Sequence, residues 1–144
     1  MFQSIIWATD GSEDASKALP LAKELAREGG AKLTVVHVIE HVEGAGAVGP
    51  PVRTDESDVQ ADLKRVTAEL SQQGFNASLV IRPELSSRPA NEIADVARET
   101  GADLIVAGTR GHTALGGFWV GSVTDRLLHI SPCPVLVVPT RGRS

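Results

Sequence analysis

Internal disulfide bonding is excluded at once, because Cys133 is the only cysteine in 144 residues. A single thiol leaves the redox compartment undetermined. Flanked as "SPCPVLVV", Cys133 has no electropositive neighbour to activate it, so inert packing is expected of it. No apolar run is long enough to cross a bilayer, and the opening "MFQSIIWATDGS" has no basic stretch and is stopped at Asp10. Neither a secretory signal nor a membrane span is read there, and the cytoplasm is the expected location. A basic stripe is missing as well: the formal net charge is −4, and only the ending "TRGRS" is locally basic. That argues against a nucleic-acid or an anionic-membrane partner. His37 and His41 stand four apart, about 13 Å in an extended segment, too far to share a metal ion. The chain has no G-x4-G-K-[ST] phosphate loop, and "TDGSEDAS" bears only a faint likeness to the S-G-G-x-D-S stretch of pyrophosphatase-type nucleotide enzymes. No internal repeat is visible.

What is present reads as one globular domain over residues 1–144, with 42% hydrophobic and 22% charged residues. Apolar runs alternate with helical patterns. "FQSIIWAT" is followed by a helix from about Ser12 to Glu28, closed by Gly29 and Gly30, and then by "KLTVVHVI". Ala15, Leu19, Ala22 and Ala26 mark one buried helical face, and Val59, Leu63, Val66 and Leu70 repeat that spacing in the second helix. Gly74 ends that helix before "NASLVIR"; a third helix runs from about Pro89 to Thr100 with Gly101 past its end. "DLIVAG" is the fourth strand, a short helix spans about Ser122 to His129, and "PVLVVP" is the last strand. "EHVEGAGAVGPPVRTDES" is rich in Gly and Pro and reads as a long mobile loop, a lid or an insertion. Strand–helix alternation predicts a doubly wound α/β fold with a five-stranded parallel sheet of order 3-2-1-4-5.

In such sheets ligands bind beyond the carboxyl ends of the strands, where the strand order reverses. Two features fall there: "ATDGS", Ala8 to Ser12, ends strand one, and "GTRGHTALGGFWVGS", with five glycines, ends strand four. Glycine lets another object approach the backbone closely. Gly108 and Gly111 would expose loop N–H groups, and Gly121 and Ser122 would start the next helix, where the dipole favours an anion by about 0.3 to 1 kcal/mol. Arg110 and His112 would add charge-assisted hydrogen bonds. Each has a plainer reading. Arg110 is also consistent with a solvated surface side chain, Ser122 with a helix cap backed by Asp125, and Asp10 with a turn residue leading into helix one with Ser12. In a functional role, Asp10 would accept ribose hydroxyls or hold a metal through water.

Gly108, Gly111, Gly121 and Ser122 complete the pattern G-x2-G-x9-G-[ST], which resembles the nucleotide-binding signature of the universal stress protein family. The likeness extends over most of the chain. "IIWATDGSEDASKAL" is similar to that family's first strand and helix, "LTVVHVIE" to its second strand, "ANEIADVARETGADLIVAGTRG" to its third helix and fourth strand, and "GSVTDRLLHISPCPVLVVP" to its ending. The variable loop near residues 43–57 is excepted. The resemblance implies a Rossmann-like, adenine nucleotide alpha hydrolase-like domain that binds ATP, forms a homodimer and acts as a sensor or regulator under stress. It implies Ala8, Thr9 and Asp10 around the adenosine, Asp10 at the ribose or a metal-bound water, and the Val38 backbone on adenine. Gly108, Gly111, Gly121, Ser122 and Val123 would hold the phosphates. "HTALGGFWV" is more apolar than loops of this kind, which leaves phosphate charge to the backbone, Arg110 and a divalent ion, Mg2+ or Mn2+. Only Asp10, His112 and Arg110 offer themselves for hydrolysis, so a binder with slow or absent turnover is expected. A slow ATP hydrolase or phosphotransferase and a nucleotide-free dimeric scaffold remain the alternatives. The dimer would form through "PVLVV", an apolar strand at a sheet edge.

Overall fold

Five aliphatic, β-branched runs form parallel strands in the computed structural model, which describes residues 1–39, 55–83, 88–109 and 121–139. They are β1 (Ser4–Ala8), β2 (Lys32–Ile39), β3 (Asn76–Pro83), β4 (Leu104–Gly108) and β5 (Val135–Val138), in the order β3-β2-β1-β4-β5. The expected sheet is therefore the observed one. Side chains alternate across a strand, and the two faces bury separate cores. Ile5, Trp7, Leu33, Val35 and Val106 pack beneath the helices α1 (Glu13–Ser16), α2 (Leu19–Gly29) and α3 (Glu56–Gln72). Ile6, Val36, Ile105 and Ala107 pack on the other side beneath α4 (Pro89–Thr100) and α5 (Ser122–Ile130). Among the described residues no helix is long and apolar enough to cross a membrane.

Three readings are corrected. The helix expected over Ser12 to Glu28 is broken at Lys17 and Ala18. Pro20 has no N–H to give the Ser16 carbonyl, and its ring crowds that carbonyl. The chain tightens instead into i→i−3 bonds, Lys17 N–H to Asp14 (3.2 Å) and Ala18 N–H to Ala15 (3.2 Å), before α2 begins. Ala18 in that break is fully buried, while Leu19 packs against the core only in part. The Trp7 indole N–H donates to the Ala15 carbonyl at 3.1 Å and ties the short α1 to the sheet. The second correction concerns the Gly/Pro-rich segment. Its residues 40–54 lie outside the described ones, and its last two, Glu56 and Ser57, already belong to α3. Acidic residues in a first turn suit the positive helix end, and Glu56 is buried.

Helix ends follow the expected glycines. Gly30 and Gly101 take left-handed φ values of 63° and 66° and close α2 and α4. Cys133 packs partly against the second core and takes its place in a small turn, its N–H donating to the Ser131 hydroxyl at 3.2 Å. Burial pushes its thiol pKa up, which agrees with inert packing.

Asp103, read as part of strand four, instead sits just before β4 and serves the other end of the sheet. Its carboxylate accepts the N–H groups of Gln3 (2.9 Å) and Ser4 (3.1 Å), and its own N–H donates to the Ser4 carbonyl at 2.9 Å. Desolvation alone would raise its pKa, but the backbone donors from Gln3, Ser4 and Asp103 itself outweigh it, so the carboxyl lies below the ordinary value. A lowered folded pKa adds stability that is complete above the unfolded value, about 3.9, and drains away as pH falls through the folded value. Asp103→Asn should therefore cost about 1 kcal/mol at pH 7, after allowance for solvent screening, and less at about pH 3, below the ordinary carboxylate value. Urea unfolding of the two proteins at both pH values checks this; equal loss at both would remove the carboxylate's role.

Candidate functional site

The chain leaves β1 at Thr9 through a turn held by its own side chains. Thr9 N–H donates to the Val36 carbonyl (3.0 Å), and Thr9 Oγ1 accepts from Gly11 N–H (3.0 Å). Asp10 Oδ1 accepts from Ser12 N–H (2.9 Å), and Ser12 Oγ accepts from Ala15 N–H (3.1 Å), capping α1. The plain reading of Asp10 as a turn residue is thus present in the structure. Gly11 has φ +83°, and a Cβ on it would lie 2.5 Å from Val59 Cγ1, so α3 presses directly on this turn.

β4 runs beside β1, with Trp7 opposite Val106, which carries Ala8 and Thr9 out alongside Ala107 and Gly108. Beyond β4, the Thr109 N–H donates to the Val138 carbonyl at 3.1 Å, and the Thr109 carbonyl accepts from Gly121 N–H. Thr124, buried in the first turn of α5, donates its hydroxyl to the Gly108 carbonyl at 2.9 Å. These bonds set the amino end of the nine-residue α5 on the carboxyl end of β4, the strand that runs beside β1. This is the point at which the strand order reverses.

Ser122 does not cap α5. Gly121 stands at the capping position with φ −60° and ψ 154°, no side chain bonds the end, and Ser122 is the first helical residue, exposed. The reason lies one residue away: Asp125 N–H closes the first helical bond on the Gly121 carbonyl at 2.8 Å. The N–H groups of Ser122 and Val123 therefore lie in the first turn, where no intrahelical acceptor exists. Among the predicted site residues, Ala8, Thr9, Asp10, Gly108, Gly121, Ser122 and Val123 come to this one edge. Val38 lies near it on β2, buried. Its peptide groups face the same side as those of Val36, which bonds Thr9, and β1 has ended at that level. Arg110, Gly111 and His112 lie outside the described residues.

Cationic side chains that sequence reading overlooked stand beside the amino end of α5. An open groove running along α5 is lined by Arg88, Ser122, Val123, Arg126 and His129 together with the acidic Asp125. Arg88 is the residue before α4, and Arg126 Nε is held by Asn91 Oδ1 at 2.9 Å. Helix packing between α4 and α5 makes this juxtaposition, and neither arginine lies in a recognisable motif. Among the described residues no three His, Cys, Asp or Glu side chains are grouped to hold a metal ion.

Known proteins share this architecture. A universal stress protein of Thermus aquaticus, from the QAH/OAS sulfhydrylase 3' region, is 37% identical over 141 residues, 96% of this chain and 99% of that one. A solved universal stress protein family member from Burkholderia pseudomallei superimposes with a TM-score of 0.69 at 30% identity, covering 95% of this chain and 96% of its own. The Archaeoglobus fulgidus universal stress protein solved in complex with dAMP has the same fold, with a TM-score of 0.67 at 24% identity and coverage of 95% and 97%. The Universal stress protein family profile matches residues 1–139, and with the glycine pattern at the end of β4 and the observed strand order, the chain belongs to that family.

Proposed function

We propose that the protein, as a single domain, binds ATP where β1 and β4 end and serves as a nucleotide-dependent regulator in the cytoplasm under stress. One observation carries this reading: α5 begins at an uncapped glycine, and its first-turn N–H groups stand at the carboxyl end of β4, which neighbours β1 at the reversal of strand order. The donor set suits a nucleotide. Backbone N–H groups at Ser122 and Val123 fit phosphate oxygens, the Asp10 carboxylate fits ribose hydroxyls, and the Val38 peptide fits an adenine edge. Gly108, Arg110, Gly111 and His112 complete the phosphate side, with Arg88 and Arg126 as cations close by. Mg2+ or Mn2+ would arrive with the phosphates, Asp10 meeting it through water, since a hard cation keeps several waters and binds chiefly to phosphate oxygens. The dAMP complex of a protein with this fold accords with an adenine nucleotide; the assignment here rests on this chain's own residues.

Mass spectrometry of whatever the purified protein releases on denaturation, followed by calorimetry with ATP, AMP and cyclic AMP, tests the proposal. Adenine nucleotide bound with micromolar or tighter affinity supports it; failure of all three to bind removes it. Turnover separates binder from hydrolase. Hydrolysis should be far below about 1 per second, the low end of ordinary enzymes, because only Asp10, His112 and Arg110 offer themselves for it in the sequence.

The homodimer belongs to the same reading. β5 pairs only with β4 among the described strands, and Val135, Leu136, Val137 and Val138 are each only half-buried. An apolar edge of this kind invites a second copy about a two-fold axis. Light scattering should give a dimer mass at micromolar concentration, and Val137→Asp should convert it to monomer. A wild-type monomer would remove the dimer.

A further inference from the structure

His37 is fully buried on β2, yet both of its ring nitrogens are engaged. Nδ1 lies 3.1 Å from the Thr9 carbonyl oxygen, and Nε2 lies 2.9 Å from Glu56 Oε2. A carbonyl oxygen only accepts, so Nδ1 carries a proton. Nε2 and Oε2 then share one further proton between them, as imidazolium and carboxylate or as imidazole and carboxylic acid. In either form the line Glu56–His37–Thr9 is a continuous hydrogen-bonded relay of position. The Gln60 amide donates to the same Oε2 at 2.8 Å and holds the carboxyl in place.

Such a pair is a costly way to fill a core. Two buried ionisable groups lose several kcal/mol of hydration each, and apolar residues of similar volume are often as stabilising or more so. Among the described residues Glu56 Oε1 is buried with no hydrogen-bond partner, which adds to the penalty. What the pair achieves and an apolar pair cannot is a grip on the Thr9 carbonyl, just where β1 has left the sheet. The same helix turn bears on this loop a second time, through Val59 against Gly11.

We propose that His37 and Glu56 are positioning residues of the nucleotide site: Glu56 fixes the tautomer and orientation of His37, and His37 fixes the Thr9–Asp10 peptide against which the nucleotide lies. This inference rests on the nucleotide-binding reading above and assigns to that site two residues that touch no part of the ligand. At metal sites, removing the hydrogen-bonded partner behind a ligand commonly costs about tenfold or more in affinity, and a loss of that order is expected for the Thr9–Asp10 peptide.

The test combines imidazole 15N spectra, amide hydrogen exchange and calorimetry on the full chain. In the wild type, His37 should show a slowly exchanging proton on Nδ1. Glu56→Gln, whose amide N–H can still donate to Nε2, should bind ATP within about threefold of wild type, whereas Glu56→Leu should lose about tenfold or more. In Glu56→Leu the amides of Gly11 and Ser12, which bond to the Thr9 and Asp10 side chains, should exchange faster. An Nδ1 without a proton, or a folded Glu56→Leu with wild-type affinity and exchange, would overturn the proposal. Should Glu56→Leu fail to fold, Glu56→Asp, whose carboxyl stops short of Nε2, takes its place with the same expected losses. If the wild type binds no adenine nucleotide, the function proposed above falls alone; exchange at Gly11 and Ser12 then decides the positioning role, faster in the variant upholding it and unchanged overturning it.

Discussion

Gly11→Ala should destabilise the protein by roughly 2 to 5 kcal/mol, the sum of about 1 to 2 for a side chain in a left-handed conformation and about 1 to 3 for overpacking. Both costs are visible at this residue. Its φ is +83°, and the new methyl group would lie 2.5 Å from Val59 Cγ1 and 3.0 Å from Cγ2. Val59 gives way poorly, since a β-branched side chain in a helix has one strongly preferred rotamer and α3 is anchored by Leu63 and Leu70 in the first core. The remaining relief is to move the turn itself. That displaces Thr9 and Asp10, so ATP affinity should fall in the folded fraction as well. Val59→Ala opens space but leaves φ unchanged, so the double variant Gly11→Ala/Val59→Ala should be more stable than the two single losses predict, by about 0.5 to 3 kcal/mol. Urea denaturation of the four proteins measures the coupling. A Gly11→Ala protein within about 0.5 kcal/mol of wild type would mean that the turn and α3 are not in the contact described.

Gly121→Val should have the opposite signature, with binding lost and the fold retained. At φ −60° and ψ 154° the Gly121 backbone is extended, a conformation open to any residue. Its two backbone bonds, to Thr109 and from Asp125, do not depend on the side chain. Loss of a good capping residue should cost about 1 kcal/mol. A valine side chain there would crowd the space in front of the first-turn N–H groups of α5, where the proposed phosphates lie. ATP affinity should drop by about a hundredfold or more, equivalent to about 3 kcal/mol. Ser122→Ala is the milder companion, removing one exposed hydroxyl and leaving the helix N–H groups, a loss of roughly 0.5 to 1.5 kcal/mol. Unchanged calorimetric affinity in a folded Gly121→Val protein would sink the placement of the phosphates at α5.

These two glycines differ in how they were legible. Gly121 stood out in the chain itself, as part of a spaced pattern with Gly108, Gly111 and Ser122 that an ordinary connection would not need. The role of Gly11 depends on Val59, forty-eight positions along, and on a left-handed backbone that only the packed turn imposes.

The strands, their order and the edge that holds the candidate site were legible in the chain alone. Parallel neighbours require crossover helices, and the alternation of aliphatic runs with i, i+4, i+7 patterns leaves few ways to arrange them. Local chemistry was equally legible where it acts within a few residues: Gly30 and Gly101 closing helices, Pro89 opening one, and Asp10 and Ser12 building a turn. Tertiary structure alone decided what depends on distant partners. Ala18, outside the predicted apolar face, is fully buried in the first core, while Leu19, within that face, packs there only in part. Glu56 stood near the end of a Gly/Pro-rich segment and looked like loop; its place in α3 and its bond to His37 arise from the docking of α3 on β2 and β3. Arg88 and Arg126 reach one groove because α4 and α5 pack side by side. The physical reason is common to all three: hydrogen bonds and burial between elements depend on where whole helices settle, and that is set by the sum of many weak apolar contacts rather than by any local run of residues.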